Sequence, residues 1–232
     1  MNDRRHSARM GSHAGSMGTP GRNAAPARAA PRLYLVAPPA GDPAAWVDNL
    51  AAALKAADVA AVLLRLAPGD ERTLIKRVKA FGEVVQNGGA ALLLDGHAEI
   101  VVRAGADGAH LPDIDAFSAA LPTLKPQRIA GCGGLKTRHD AMLAAEQGAD
   151  YVMFGEPDAG GRRPGFDAVL ERVGWWAEVF EAPCVGFAAA LDEVEAVARA
   201  GADFVAVGDA LWSDAAMLAQ TVQRLTVAEP VQ

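Results

Sequence analysis

The chain has 232 residues, 51% hydrophobic and 22% charged, which supplies core material for one large globular domain or two small ones. Its net charge of −6 argues against non-specific binding to nucleic acid or an anionic membrane, and no apolar run reaches the ~18 residues of a membrane span. The two cysteines, Cys132 and Cys184, fall in apolar strand-like runs and read as buried thiols of a reducing compartment; the expected location is cytoplasmic.

Residues 1–30 carry five arginines against one aspartate, leaving about −10 on the remaining body. Gly, Ser, Pro, Arg and Ala dominate there without a hydrophobic period, so a disordered tail is expected, followed by one domain over 31–228. The tail has no apolar core of a secretory signal, although an Arg- and Ser-rich, acid-poor leader is also the composition of an organelle transit peptide.

Ordered sequence begins with an apolar strand at 33–36, ended by Pro38-Pro39. Asp42-Pro43 opens a helix to about residue 57, with Asp as N-cap and Pro in the first turn. A second strand covers 60–66. Asp70 then caps an amphipathic helix with Leu74, Ile75, Val78, Phe81, Val84 and Val85 on one face, stopped by Gly88-Gly89. Further strands are expected at 90–94, 108–111, 128–132, 151–155, 183–187 and 204–207. Helices are expected at 98–104, from Asp115, at 137–147, around Val169 to Trp176, at 191–200 and up to about residue 225.

One unit recurs three times: a helical run, Gly-Ala-Asp, then an apolar strand. It stands at Gly105-Ala106-Asp107, Gly148-Ala149-Asp150 and Gly201-Ala202-Asp203. A glycine that ends a helix at positive φ and turns the chain straight into a buried strand is the joint of stacked βα units. Eight such units, with strands apolar on both faces, predict a single (β/α)8 TIM barrel. An open doubly wound sheet would want a Gly-rich turn after the first strand, where Pro38-Pro39 stands.

Barrel chemistry sits at the C-terminal strand ends, which makes Arg65, Asp95, His97, His110, Asp113, Asp115, Lys136, Glu156, Asp158, Arg162, Arg163 and Asp209 the candidates. The runs Leu33-Tyr34-Leu35-Val36, Val62-Leu63-Leu64-Arg65, Ala106-Asp107-Gly108-Ala109-His110-Leu111 with Asp115, and Gly148-Ala149-Asp150 through Gly155-Glu156-Pro157 resemble the thiamine phosphate synthase family, which includes the thiazole tautomerases. The resemblance runs in order from about residue 32 to residue 225.

It implies a transferase of thiamine biosynthesis that joins a pyrimidine pyrophosphate to a thiazole phosphate, with Mg²⁺ on the departing pyrophosphate. Arg65 matches a diphosphate-binding arginine, His110 is kept, and Asp115 matches a metal carboxylate. Asp95-Gly96 stands where the family has Asn-Asp, so one metal ligand is replaced, and Asp113 offers a substitute. The family's serine after strand five is Gly133, and the tautomerase histidine falls near Lys136. Arg162 and Arg163 stand in for the lysine of the loop after strand six. After strands seven and eight, Gly186-Phe187 and Gly208-Asp209 replace Gly-Gly and Val-Ser; the expectation is that Phe187 and an N-capping Asp209 close the phosphate cradle.

The expected roles are therefore His110 and Lys136 as catalytic groups, Arg65, Asp95, Arg162, Arg163, Gly186 and Asp209 at the substrate, and Asp115 with Asp113 on the metal. Two further functions fit the same residues: a divergent barrel that binds a small ligand without catalysis, and a metal-independent tautomerase or isomerase using His110 or Lys136. The expected ligand is a small phosphorylated molecule or thiamine precursor.

Overall fold

The computed structural model describes residues 29–158 and 160–227; the expected tail lies outside them except for its last two residues. Eight parallel strands close into a barrel in sequence order, β1 pairing with both β2 and β8. They are β1 Arg32–Val36, β2 Val59–Leu64, β3 Ala91–Asp95, β4 Gly108–Leu111, β5 Ile129–Cys132, β6 Tyr151–Phe154, β7 Cys184–Ala188 and β8 Phe204–Val207. The α-helices between and after them are α1 Val47–Ala56, α2 Glu71–Asn87, α3 Val101–Ala104, α4 Ile114–Leu124, α5 Arg138–Glu146, α6 Phe166–Val179, α7 Leu191–Arg199 and α8 Ala215–Val227. The eightfold βα alternation read from the sequence is the architecture found.

Strand alternation builds two cores. Residues such as Leu33, Leu35, Val62 and Leu64 point outward into the layer beneath the helices. Their neighbours Tyr34, Val36, Leu63, Leu93, Tyr151, Met153, Val185 and Phe187 form a second cluster inside the barrel. The interior is thus filled by side chains, which leaves room for ligands only at an end.

The three Gly-Ala-Asp units have a shared physical cause. Gly105, Gly148 and Gly201 have φ of 76, 92 and 102°, and a Cβ on Gly105 or Gly148 would meet nothing within 4 Å, so at those two positions glycine is needed for the turn alone. Each following aspartate closes a two-way bond with the preceding strand. The Oδ2 atoms of Asp107, Asp150 and Asp203 accept from the N–H of Leu92, Ala130 and Cys184 at 2.8, 2.7 and 2.8 Å. The aspartates' own N–H groups donate to the carbonyls of those same residues at 2.8, 2.9 and 3.0 Å. These carboxylates lock the N-terminal end of the barrel, opposite the end where ligand chemistry belongs.

Local differences from the sequence reading are small. Asp42 caps a 3₁₀ turn, Pro43–Ala45, rather than α1 itself, and the expected helix at 98–104 divides into a 3₁₀ turn, Ala98–Ile100, and α3. Asp113, not Asp115, stands at the start of α4 and caps it, accepting from Ala116 N–H at 2.8 Å. Cys132 and Cys184 are both buried and neither is disulfide-bonded. Among the described residues no helix is long and apolar enough to cross a membrane.

Candidate active site

The C-terminal strand ends surround a cavity of about 880 Å³. Arg65 after β2, Asp95 at the end of β3, His110 in β4, Asp113 before α4, Lys136 in the β5–α5 loop, and Glu156, Arg162 and Arg163 in the β6–α6 loop all line it. The volume is within the range of a small-molecule site.

Most of its cations are already engaged. Arg65 Nε meets Asp95 Oδ2 at 3.2 Å, with both side chains about one-third exposed. Arg162 lies along Asp158, which also accepts two backbone N–H groups of its own loop, from Gly160 and Arg162. Arg172 of α6 donates to the carbonyls of Leu135 and Lys136 at 2.6 and 2.7 Å, fixing the loop that carries Lys136.

Arg163 differs. Its Nη1 bonds both carboxylate oxygens of Glu193, at 3.0 and 3.2 Å, while Nε and Nη2 are buried with no hydrogen-bond partner among the described residues. Nε and Nη2 form the side edge of the guanidinium, the geometry that takes a carboxylate or phosphate through two parallel bonds. A buried donor pair without an acceptor is costly, and this edge is closed to solvent.

The floor of the cavity carries a hydrogen-bonded chain. His110 is 3% exposed; its Nδ1 lies 3.0 Å from Tyr151 Oη, which lies 2.9 Å from Tyr34 Oη. The rings of His110 and Tyr151 stack, 10° from parallel. Burial, aided by Arg65, lowers the His110 pKa to about 4 despite the opposing charge of Asp95. Burial likewise raises both tyrosines well above their ordinary value, leaving them neutral hydrogen-bonding groups.

Glu156 meets this chain at the strand ends. Its Oε1 accepts from Gly134 N–H, and burial pushes its carboxyl up to about 7, with Asp95 adding to the rise while backbone N–H bonds and Arg65 oppose it. Glu156 was legible only as one loop carboxylate among several; the signal that singles it out is that Gly133 opposite it has no side chain. Tyr34 and Tyr151 gave no signal beyond strand-interior aromatics.

Several expected site residues lie elsewhere. Gly186 faces outward: a Cβ there would meet Val197 Cγ1 at 2.3 Å and Val173 Cγ2 at 3.3 Å, so its glycine serves packing against the helices. Phe187 points into the barrel cluster instead of over a phosphate position. Asp209 is not an N-cap. It is the first residue of a 3₁₀ turn, Asp209–Leu211, capped by Gly208 without a side-chain bond, and it does not line the cavity. The amide ahead of α7 is satisfied by another group, Glu193, whose Oε2 accepts from Ala189 N–H at 2.8 Å. His97 pairs with Glu99 away from the cavity.

The residues do not fit the Mg²⁺ site that the resemblance implies. Asp115 is exposed on the first turn of α4 and outside the cavity, Asp113 spends one oxygen on the α4 cap, and Asp95 is turned to Arg65. Among the described residues no three His, Cys, Asp or Glu side chains gather as a metal site.

Fold and cavity together define a (β/α)8 barrel with a small-molecule site of mixed charge at its C-terminal mouth. The family model described as thiamine monophosphate synthase matches residues 33–211, and the chain belongs to that family. It is 37% identical over 185 residues to a thiamine-phosphate synthase of Rhodospirillum centenum, covering 78% of this chain and 89% of that one. A thiamine-phosphate synthase of Hyphomonas neptunium is 35% identical over 190 residues, covering 78% and 86%. Among solved structures, a thiamine phosphate pyrophosphorylase from Pyrococcus furiosus superposes with a TM-score of 0.66 at 21% identity, over 85% of this chain and 95% of that one, a likeness of fold.

Proposed function

We propose that the protein acts in thiamine biosynthesis by taking phosphorylated pyrimidine and thiazole precursors at this mouth and joining them with loss of pyrophosphate. The observation that carries the reading is the gathering of Arg65, Lys136, Arg162 and Arg163 around one cavity mouth, a cationic lining suited to phosphate groups. The thiamine-phosphate synthase relatives supply the substrate class.

In this reading Arg163, braced by Glu193, grips one phosphate from the β6–α6 loop. Arg65, oriented by Asp95, and Lys136, on the loop fixed by Arg172, supply positive charge across the cavity to the departing pyrophosphate. Such fixed charges act where negative charge develops and need no reorganisation during the reaction. No step is assigned to a protein-held metal, because the carboxylates do not converge. A cytoplasmic place goes with precursors that carry phosphate and so do not cross membranes unaided.

The test is thiamine phosphate formation from the two precursors by the purified protein, against a no-enzyme control, beside calorimetry of thiazole phosphate binding. The expected results are product above the control and a loss of about 10- to 100-fold in affinity in Arg163→Ala, the worth of charge-assisted bonds. Binding without product would make the protein a small-ligand-binding barrel. Absence of both binding and product would refute the reading.

A further inference from the structure

Phosphate binding leaves unused two groups that share one corner of the mouth, Glu156 and His110. An ideal Cβ on Gly133 would lie 2.1 Å from Glu156 Oε1 and 2.5 Å from His110 Nε2. Both atoms therefore crowd one point, and they stand no more than about 5 Å apart, within reach directly or through one water. The side chain that Gly133 lacks is what lets a carboxylate from the end of β6 approach an imidazole from β4. Oε1 is anchored by Gly134 N–H, and His110 Nδ1 by Tyr151, so both side chains are held in place while both residues line the cavity.

We propose that Glu156 is a further catalytic residue of this mouth, exchanging a proton with the bound precursor, while His110 remains the neutral hydrogen-bonding partner beside it. The proposal rests on precursors binding at this mouth. In the step, an N–H, O–H or activated C–H bond of the precursor breaks and an O–H bond forms on the Glu156 carboxylate. The electron pair stays on the precursor, and the carboxyl later returns the proton to the joined product, because the joining reaction itself releases none. No redox partner or further reactant is needed.

The surroundings order the proton affinities in the required sense. Around Glu156 stand Asp95 from β3 and Arg65 after β2, with opposite effects, the Gly134 N–H after β5, and the hydroxyls of Tyr34 and Tyr151 and thiol of Cys132, each held protonated in part by the Glu156 charge. With Glu156 near 7 and His110 near 4, the carboxyl and not the imidazole exchanges a proton around neutrality, the reverse of the usual order. His110, expected from the sequence to be the acid–base group, is thereby assigned the positioning role.

The experiment has two arms. In the first, carboxyl ¹³C resonances of the wild-type protein are followed from pH 4 to 9, alone and with thiazole phosphate or the pyrimidine pyrophosphate. Glu156 is assigned by its loss in Glu156→Gln, which keeps the acceptor for Gly134 N–H. A midpoint near 7 that moves by half a unit or more with either precursor is expected. A midpoint below 5, or one that neither precursor moves, overturns the proposal. In the second arm, the pH profile of kcat for thiamine phosphate formation is expected to lose its limb near 7 in Glu156→Gln, with kcat down about 100-fold or more and KM within about threefold. A variant that keeps both limb and kcat overturns the proposal. The first arm reads Glu156 whether or not product forms, so failure of the synthase reading and failure of this proposal are separable; if Glu156→Gln does not fold, Glu156→Asp supplies the assignment by replacing the glutamate resonance with an aspartate one.

Discussion

Replacing either member of the Glu156–His110 pair should expose a pH dependence of stability that the intact pair conceals. The Glu156 carboxyl is raised by burial from an ordinary 4.5 to about 7. Its contribution to stability is complete below pH 4.5 and is lost as pH rises through 7. His110 is lowered by burial from 6.5 to about 4, so its contribution is complete above pH 6.5 and is lost as pH falls through 4. Each shift of about 2.5 units corresponds to about 3 kcal/mol. Between pH 4.5 and 6.5 the two slopes have opposite signs and nearly cancel. Glutamine at either position preserves bulk, and burial is the first cause of both shifts, so the remaining group should keep its own slope. Glu156→Gln should therefore become more stable from pH 4 to 6.5, and His110→Gln less stable from pH 4.5 to 7. The corresponding changes in thermal midpoint are about 6–12 °C in opposite directions for a domain of this size. Thermal unfolding of both single variants, each measured relative to the double variant at the same pH, reads the effect free of other carboxylates. Parallel curves for the two single variants would refute the reasoning.

Two further outcomes follow from the packing. Phe187→Gly should cost about 3–5 kcal/mol in urea unfolding, because the ring fills the barrel interior, and should leave the affinity for thiazole phosphate without gain; tighter phosphate binding would restore the idea that Phe187 obstructs a cradle. Asp150→Ala removes the acceptor of Ala130 N–H and of Lys125 at the far end of the barrel, so a loss of about 1–3 kcal/mol with kcat/KM unchanged is expected in paired unfolding and precursor-turnover measurements.

The barrel was legible because its determinants are local and repeated. A glycine at positive φ and an aspartate that ties one strand to the next are visible as Gly-Ala-Asp three times over, whatever the packing around them. The mouth was legible in part, since residues at C-terminal strand ends such as Arg65, His110 and Lys136 reach the same cavity by topology alone. Orientation was not legible. Strand alternation sends Phe187 inward, and the cap of the turn after β8 falls on Gly208, one residue before Asp209; a shift of one position exchanges a ligand contact for a packing or capping role.

The same limit explains why Gly133 and Glu156 had to be read together. In the sequence Gly133 is one glycine in the run Gly131-Cys132-Gly133-Gly134, and Glu156 is one carboxylate in a long loop, 23 positions further along. In space they occupy one volume: the place a side chain on Gly133 would fill is held by Glu156 Oε1 and His110 Nε2. A side chain on Gly133 could enter only by moving the Glu156 carboxyl off the N–H of Gly134. The missing Cβ and the carboxyl are therefore one arrangement. Together they set a carboxyl pushed up to about 7 beside the neutral His110, and so bear on what the mouth can do with a proton, among the arginines that line the same cavity.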